Sequence, residues 1–87
     1  MENFNRDKTI DLLKHLYSNN LLYMVIGSLV TSDNETKDSK LYALNITNKF
    51  IDCIDDALGY VDDFEKIRDL LFQTQSILEC EINNEFV

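Results

Sequence analysis

The chain has 87 residues, of which 45% are hydrophobic and 28% are charged. This length supports one hydrophobic core, so we expect a single helical domain over residues 1–87, and the composition excludes a disordered tail. The net charge of −8 opposes direct binding to a nucleic acid, and the absence of proline favours an all-α fold over a β fold rich in turns.

The first predicted helix spans residues 6–30. Its apolar residues recur at the three- and four-residue steps of an α-helix: Ile10, Leu13, Tyr17, Leu21 and Met24. Asn5 is the predicted N-cap. Polar residues at 18–20 interrupt the pattern, so the helix is expected to be continuous or kinked there. The alternative is a β-hairpin between residues 21–30 and 41–47.

Residues 31–39 carry no large apolar side chain and predict an exposed connector. Two further helices follow, at residues 39–58 and 62–82, and residues 84–87 are expected to fray. Asp38 or Ser39 is the expected N-cap of the second helix, and Gly59 is expected to end it in the left-handed conformation.

The two C-terminal helices predict an antiparallel hairpin. Their apolar residues pair so that each pair of residue numbers totals 121: Ala43 with Leu78, Phe50 with Leu71, Ile54 with Ile67, and Ala57 with Phe64. With the first helix packed over this seam, the expected fold is a small antiparallel three-helix bundle. The register places Cys53 and Cys80 about 18 Å apart, too far for a disulfide, so both are expected to be free thiols.

The sequence lacks the residue patterns of the common active sites. His15 is the only histidine, its polar helical neighbours Asp11 and Ser18 do not orient it as a base, and two distant cysteines do not complete a zinc site. Gly27 and Gly59 stand alone, so no glycine-rich loop binds phosphate groups. We therefore expect no enzymatic activity, no metal and no cofactor.

The strongest feature of the sequence is a concentration of acidic residues around the turn between the second and third helices. We call residues 52–65 the acidic bend. Its predicted contact residues are Asp52, Asp55, Asp56, Tyr60, Asp62, Asp63, Phe64 and Glu65. Two interpretations stay open: a solvated surface, or a docking surface for a basic protein partner in which Tyr60 and Phe64 supply the anchor.

A second candidate surface is apolar on all sides of the first helix. A three-helix bundle buries only part of residues 21–30, so we expect either burial by a kink or a homo-oligomer interface. The predicted interface residues are Leu22, Tyr23, Val25, Ile26 and Leu29. Membrane-surface attachment is disfavoured because the helix lacks a basic face.

These observations predict a small acidic binding protein that blocks or regulates a macromolecular partner, as an inhibitor, immunity protein, antitoxin-like protein or phage-encoded antagonist does. The start of the chain lacks the order of a secretory signal, so a cytoplasmic location is expected. The alternative is a small-molecule or nucleotide-binding homo-oligomer with pockets between subunits. Its ligand would contact the basic residues Lys8, Lys14, Lys37 and Lys40.

Overall fold

The computed structural model describes residues 5–31 and 36–85, which form four α-helices. The helices are α1 (Arg6–Ser18), α2 (Leu22–Thr31), α3 (Lys37–Leu58) and α4 (Phe64–Glu85). The all-α prediction is confirmed. No strand occurs in the described ranges, so the alternative hairpin between residues 21–30 and 41–47 is wrong. The count of three helices is also wrong, because the first predicted helix is divided into α1 and α2.

The division between α1 and α2 is caused by the backbone of Asn20. Asn20 has a φ of 60°, in the left-handed region that asparagine tolerates better than most residues. The Asn20 N–H donates to the Tyr17 carbonyl at 3.1 Å, and the Leu21 N–H donates to the Leu16 carbonyl at 2.8 Å. This pair of hydrogen bonds is a Schellman motif, which satisfies the last carbonyls of α1. The chain changes direction here, so that α1 packs on α3 and α2 packs on α4.

The N-caps of α1 and α3 are asparagine and threonine. The Asn5 side chain accepts a hydrogen bond from the Lys8 N–H at 3.0 Å, as predicted. For α3 the cap is Thr36, whose hydroxyl accepts from the Ser39 N–H at 3.1 Å, rather than Asp38 or Ser39. Residues 37–39 of the predicted connector are therefore helical, and residues 32–35 lie outside the described residues.

The ends of α4 also differ from the predicted range 62–82. The helix begins at Phe64, where the Asp63 carbonyl accepts from the Ile67 N–H at 3.0 Å. It continues to Glu85, so residues 84 and 85, which were expected to fray, are helical. Residues 86 and 87 lie outside the described residues.

Gly59 ends α3, but for a different reason from the one predicted. Its φ is −59°, which is right-handed, and its N–H donates to the Asp55 carbonyl at 3.0 Å. A Cβ at this position would lie 2.5 Å from the same carbonyl oxygen, closer than real Cβ atoms approach backbone. Glycine is therefore required here by space and not by a left-handed backbone.

The two glycines are expected to respond in opposite directions to the same substitution. Gly27 lies on an exposed part of α2 where a Cβ meets open space, so Gly27→Ala should raise the free energy of unfolding by about 1 kcal/mol. Gly59→Ala should lower it by roughly 1–3 kcal/mol, because the Asp55 carbonyl must move. Urea denaturation of both variants checks this, and changes of the same sign would contradict it.

The predicted register of the α3–α4 hairpin agrees with two polar contacts. Lys40 Nζ lies 3.3 Å from Glu81 Oε1, and these residue numbers also total 121. The Gln75 amide donates to Asn48 Oδ1 at 2.8 Å, and these residue numbers total 123, within two residues of the predicted register. Cys53 is buried and Cys80 is exposed, and both are free, as predicted.

The hydrophobic core lies between the hairpin and the α1–α2 pair. Its buried members are Leu13, Leu22, Ile26, Phe50, Cys53, Ile54, Ala57, Leu58, Ile67 and Leu71. Two buried hydroxyls are satisfied within their own helices, since Thr47 donates to the Ala43 carbonyl and Thr74 to the Leu70 carbonyl, both at 2.8 Å. The core thus fixes α1 and α2 beside the acidic bend.

Candidate functional site

The acidic bend joins the end of α3 to the start of α4 at the surface. Six of its eight predicted contact residues are exposed: Asp52, Asp55, Asp56, Tyr60, Asp62 and Glu65. The other two, Asp63 and Phe64, are half-buried. Tyr60 lies in the turn itself and is 75% exposed, the largest value among the exposed large hydrophobic residues that the structure describes.

Arg6, in the first turn of α1, neutralises part of the acidic bend. Its guanidinium forms an ion pair with the Asp56 carboxylate, which raises the pKa of Arg6. The same guanidinium donates to the Asp52 carbonyl at 3.0 Å and approaches Cys53 Sγ at 3.9 Å. A cation at the C-terminus of α3 also interacts favourably with the helix dipole. Asp56 therefore has a structural partner within the chain.

Asp63 joins three helices through its two carboxylate oxygens. Tyr17 of α1 donates its hydroxyl to Oδ1 at 2.8 Å, and Tyr23 of α2 donates to Oδ2 at 2.6 Å. The hydrogen bonds from Tyr23 and then Tyr17 lower the pKa of Asp63. The bond to Asp63 raises the pKa of Tyr23 to about 12, and it also raises the pKa of Tyr17. Asp63 is thus ionised at neutral pH and holds α1 and α2 against the start of α4.

Phe64 is less available to a partner than its position in the sequence suggests. Its ring packs against the hydrophobic core and is half-buried. The Arg68 guanidinium lies over the ring, 5.5 Å from its centroid. The exposed aromatic side chain of the acidic bend is therefore Tyr60.

The remaining carboxylates of the acidic bend point to solvent. Within residues 5–31 and 36–85, the structure shows no ion pair or hydrogen bond to the side chains of Asp52, Asp55, Asp62 or Glu65. These four carboxylates are free to meet a cationic surface. We call them the free carboxylates.

A cleft of about 440 Å³ opens where the α1–α2 junction faces the acidic bend. Its lining residues are Tyr17, Ser18, Asn20, Leu22, Tyr23, Tyr60 and Asp63. We call it the tyrosine cleft. The Lys66 ammonium lies outside this lining, over the Tyr23 ring and 5.4 Å from its centroid.

The tyrosine cleft has no signature in the local sequence. Tyr17 fits the apolar stripe of α1, and Tyr23 is one of the predicted oligomer-interface residues. Both tyrosines are more than 39 residues from Asp63 in the chain. No local pattern signals contacts of that separation, because they depend on how α1 and α2 pack over the hairpin.

The predicted oligomer interface is only partly at the surface. Leu22 and Ile26 are 1% and 3% exposed, so their side chains lie in the core and do not contact solvent. Neither is available to a second copy of the folded chain, because α2 turns that face toward the core. Tyr23 is 38% exposed, and Val25 and Leu29 line an apolar groove of about 450 Å³ beside α1 and α3. A homo-oligomer stays a prediction that rests on these three residues.

One of the four basic residues assigned to the alternative function is not exposed. Lys8, Lys14 and Lys37 are exposed, but Lys40 is 7% exposed and pairs with Glu81. His15 is exposed, with the Asn19 amide 3.4 Å from its Nε2. Among the described residues, no group of three or more acidic, histidine or cysteine side chains is placed to hold a metal ion. None of the described helices has the length and apolar character needed to cross a membrane.

The fold and the site define a small four-helix chain with an acidic bend beside a tyrosine-lined cleft. Comparisons with protein families, with curated proteins and with solved structures gave no significant match.

Proposed function

We propose that this chain is a binding protein that blocks or regulates a protein partner with a basic surface, and that the acidic bend is its contact surface. The observation that carries this proposal is the set of free carboxylates Asp52, Asp55, Asp62 and Glu65. They are exposed and grouped at one turn, and within the described part of the chain their carboxylates form no ion pair.

The position of two free carboxylates supports this proposal. Asp52 and Asp55 lie in the last turns of α3, where the helix dipole disfavours negative charge. Arg6 compensates Asp56 by an ion pair but contacts only the backbone carbonyl of Asp52. A surface that keeps like charges together against local stability is suited to attracting a cationic partner.

The acidic bend offers the two components of a specific interface. The free carboxylates provide long-range attraction, which raises association rates by about 10-fold to 10³-fold and weakens with salt. Tyr60 provides an exposed aromatic side chain of the type that dominates binding energy at interfaces. The carboxylates would orient the partner by charge, and burial of Tyr60 would supply affinity for it.

A test of this proposal must spare the carboxylates that stabilise the fold. Reversing Asp56 would break the ion pair with Arg6, and reversing Asp63 would break the hydrogen bonds from two tyrosines. The informative variant reverses Asp55, Asp62 and Glu65 to lysine, which changes the net charge from −8 to −2 because each substitution adds two positive charges.

The matched control reverses three exposed acidic residues elsewhere: Asp11, Asp38 and Glu79. It has the same net charge, and Asp38, like Glu65, lies in the first turn of a helix. Both variants should retain the helical circular dichroism of the original chain, at a cost of about 0.3–1 kcal/mol for each first-turn carboxylate lost.

The measurement is capture from a lysate of the source cells, followed by binding of the purified captured protein at two salt concentrations. We expect the original chain and the control variant to bind the same basic protein, with an affinity that falls as salt rises. The acidic-bend variant should bind at least about tenfold more weakly. Equal binding by the acidic-bend variant, equal losses in both variants, or no protein captured by the original chain would contradict the proposal.

A further inference from the structure

We propose that the tyrosine cleft receives a lysine side chain of the protein partner, held between the rings of Tyr17, Tyr23 and Tyr60 and the carboxylate of Asp63. This inference rests on the proposed function and names the chemical group that the site recognises. It concerns the cleft, whereas the proposed function concerns the free carboxylates beside it.

The geometry of the cleft brings aromatic rings and a negative charge together. Tyr17 and Tyr23 donate to different oxygens of the Asp63 carboxylate, at 2.8 and 2.6 Å, so both hydroxyls converge on one acidic group. Each carboxylate oxygen has a further lone pair, so Asp63 retains acceptor capacity for a cation. Tyr60 adds a third aromatic side chain to the lining.

Aromatic rings beside a carboxylate favour an alkylammonium group over a neutral ligand. The negative face of a tyrosine ring attracts a cation within about 6 Å of the centroid, and the carboxylate adds a charge-assisted hydrogen bond. The protein already shows one such contact, since the Lys66 ammonium lies 5.4 Å from the centroid of the Tyr23 ring. Residues 62–66 carry three carboxylates and this single ammonium, so the charge of the segment stays negative.

The size and the rim of the cleft suit a side chain that enters from a partner. Its volume of about 440 Å³ lies within the range of ligand pockets, about 300–1,000 Å³. Ser18 and Asn20 supply polar groups in the lining, at the point where the Schellman motif turns the chain into α2. The apolar part of a lysine stem would contact the tyrosine rings.

The test uses two small probes that differ only in the ammonium group. Nα-acetyl-lysine methylamide is the cationic probe, and Nα-acetyl-norleucine methylamide is the neutral one. Each is titrated into the ¹⁵N-labelled full chain while amide chemical shifts are followed by NMR. We expect saturable shifts for the lysine probe at residues 17–23 and 60–63, and no saturable shifts for the norleucine probe.

Tyr60→Ala is the variant and Tyr42→Ala is its control. Both tyrosines are strongly exposed, at 75% and 67%, but only Tyr60 lines the tyrosine cleft. Tyr60→Ala should raise the Kd of the lysine probe roughly threefold to fivefold, as expected for one exposed cation–π contact, and Tyr42→Ala should leave it unchanged.

Three results would overturn the inference: equal shifts with the norleucine probe, shifts located elsewhere, or an unchanged Kd in the Tyr60→Ala variant. These results do not depend on the free carboxylates. If the lysine probe fails while the capture experiment succeeds, the partner binds the acidic bend without using the cleft. If the probe binds while the capture experiment fails, the cleft recognises a cation and the proposed function is wrong.

Discussion

Leu13→Ala is expected to lower the free energy of unfolding by about 2–5 kcal/mol. Leu13 is 0% exposed and is the one fully buried residue of α1, so its side chain holds this helix against the core. The substitution removes apolar contacts and leaves a cavity that rigid neighbours fill only in part. A domain of this size has a total stability of about 4–13 kcal/mol, so the loss is a large share of it.

The adjacent residue provides the control for Leu13→Ala. Leu12 is chemically identical and lies in the same helix, but it is 45% exposed. Leu12→Ala should change the free energy of unfolding by less than about 1 kcal/mol. Urea denaturation followed by circular dichroism measures both variants, with the denaturant slope compared to confirm that each unfolds in the same way. Equal losses of unfolding free energy in the two variants would show that α1 does not pack on the core through Leu13.

The α3–α4 hairpin was predictable because the apolar spacing that defines it lies within each helix and recurs along it. Apolar residues at helical spacing mark one face of each helix, and a short turn forces the two faces together. The register then follows from residue numbers alone, and the Lys40–Glu81 ion pair agrees with it. The same register correctly separates Cys53 from Cys80.

The break between α1 and α2 was harder to predict because the apolar spacing continues through it. Tyr17, Leu21 and Met24 keep the helical period across the break, while Asn20 adopts a left-handed φ of 60°. The prediction gave this conformation to Gly59, whose φ is −59°. Glycine is the more common residue at such a position, but the Schellman hydrogen bonds stabilise asparagine there.

The sequence predicted the negative charge of the candidate site but not the contacts that its carboxylates make. The concentration of acidic residues at 52–65 is visible in the sequence, and the structure places most of them at the surface. The packing of α1 and α2 decides which of these carboxylates have partners within the chain. It brings Arg6 to Asp56 and two tyrosines to Asp63. A cluster of like charges in a sequence thus contains both structural and free carboxylates, and only the packing separates them.

Asp63→Asn is expected to return the pKa of Tyr23 from about 12 toward its ordinary value of 10. The charged acceptor is the main cause of the raised value, and an amide oxygen is a weaker acceptor without charge. Ultraviolet absorbance of the phenolate, recorded as pH rises, measures the ionisation of the tyrosine side chains. In the original chain Tyr23 should ionise late, and in the variant it should ionise earlier.

The same interaction makes stability depend on pH at both extremes. The pKa of Asp63 is lower in the folded chain than its ordinary value of 3.8, so its contribution is complete above that value and is lost as pH falls through the folded pKa. The pKa of Tyr23 is higher when folded, so its contribution is complete below 10 and is lost as pH rises through about 12. Asp63→Asn should therefore be less stable than the original chain at neutral pH and closer to it in acid.

Asp62→Asn is the control for this comparison. Asp62 is the adjacent carboxylate and is exposed, and the described part of the chain shows no hydrogen bond to its side chain. Its substitution removes one negative charge from the same turn but keeps both tyrosine hydrogen bonds. Tyr23 should therefore ionise in this variant nearly as it does in the original chain. If Asp62→Asn and Asp63→Asn shift the Tyr23 titration equally, the cause is the general charge of the turn and not the hydrogen bond. The Tyr23–Asp63 hydrogen bond would then not be what holds α2 to the acidic bend.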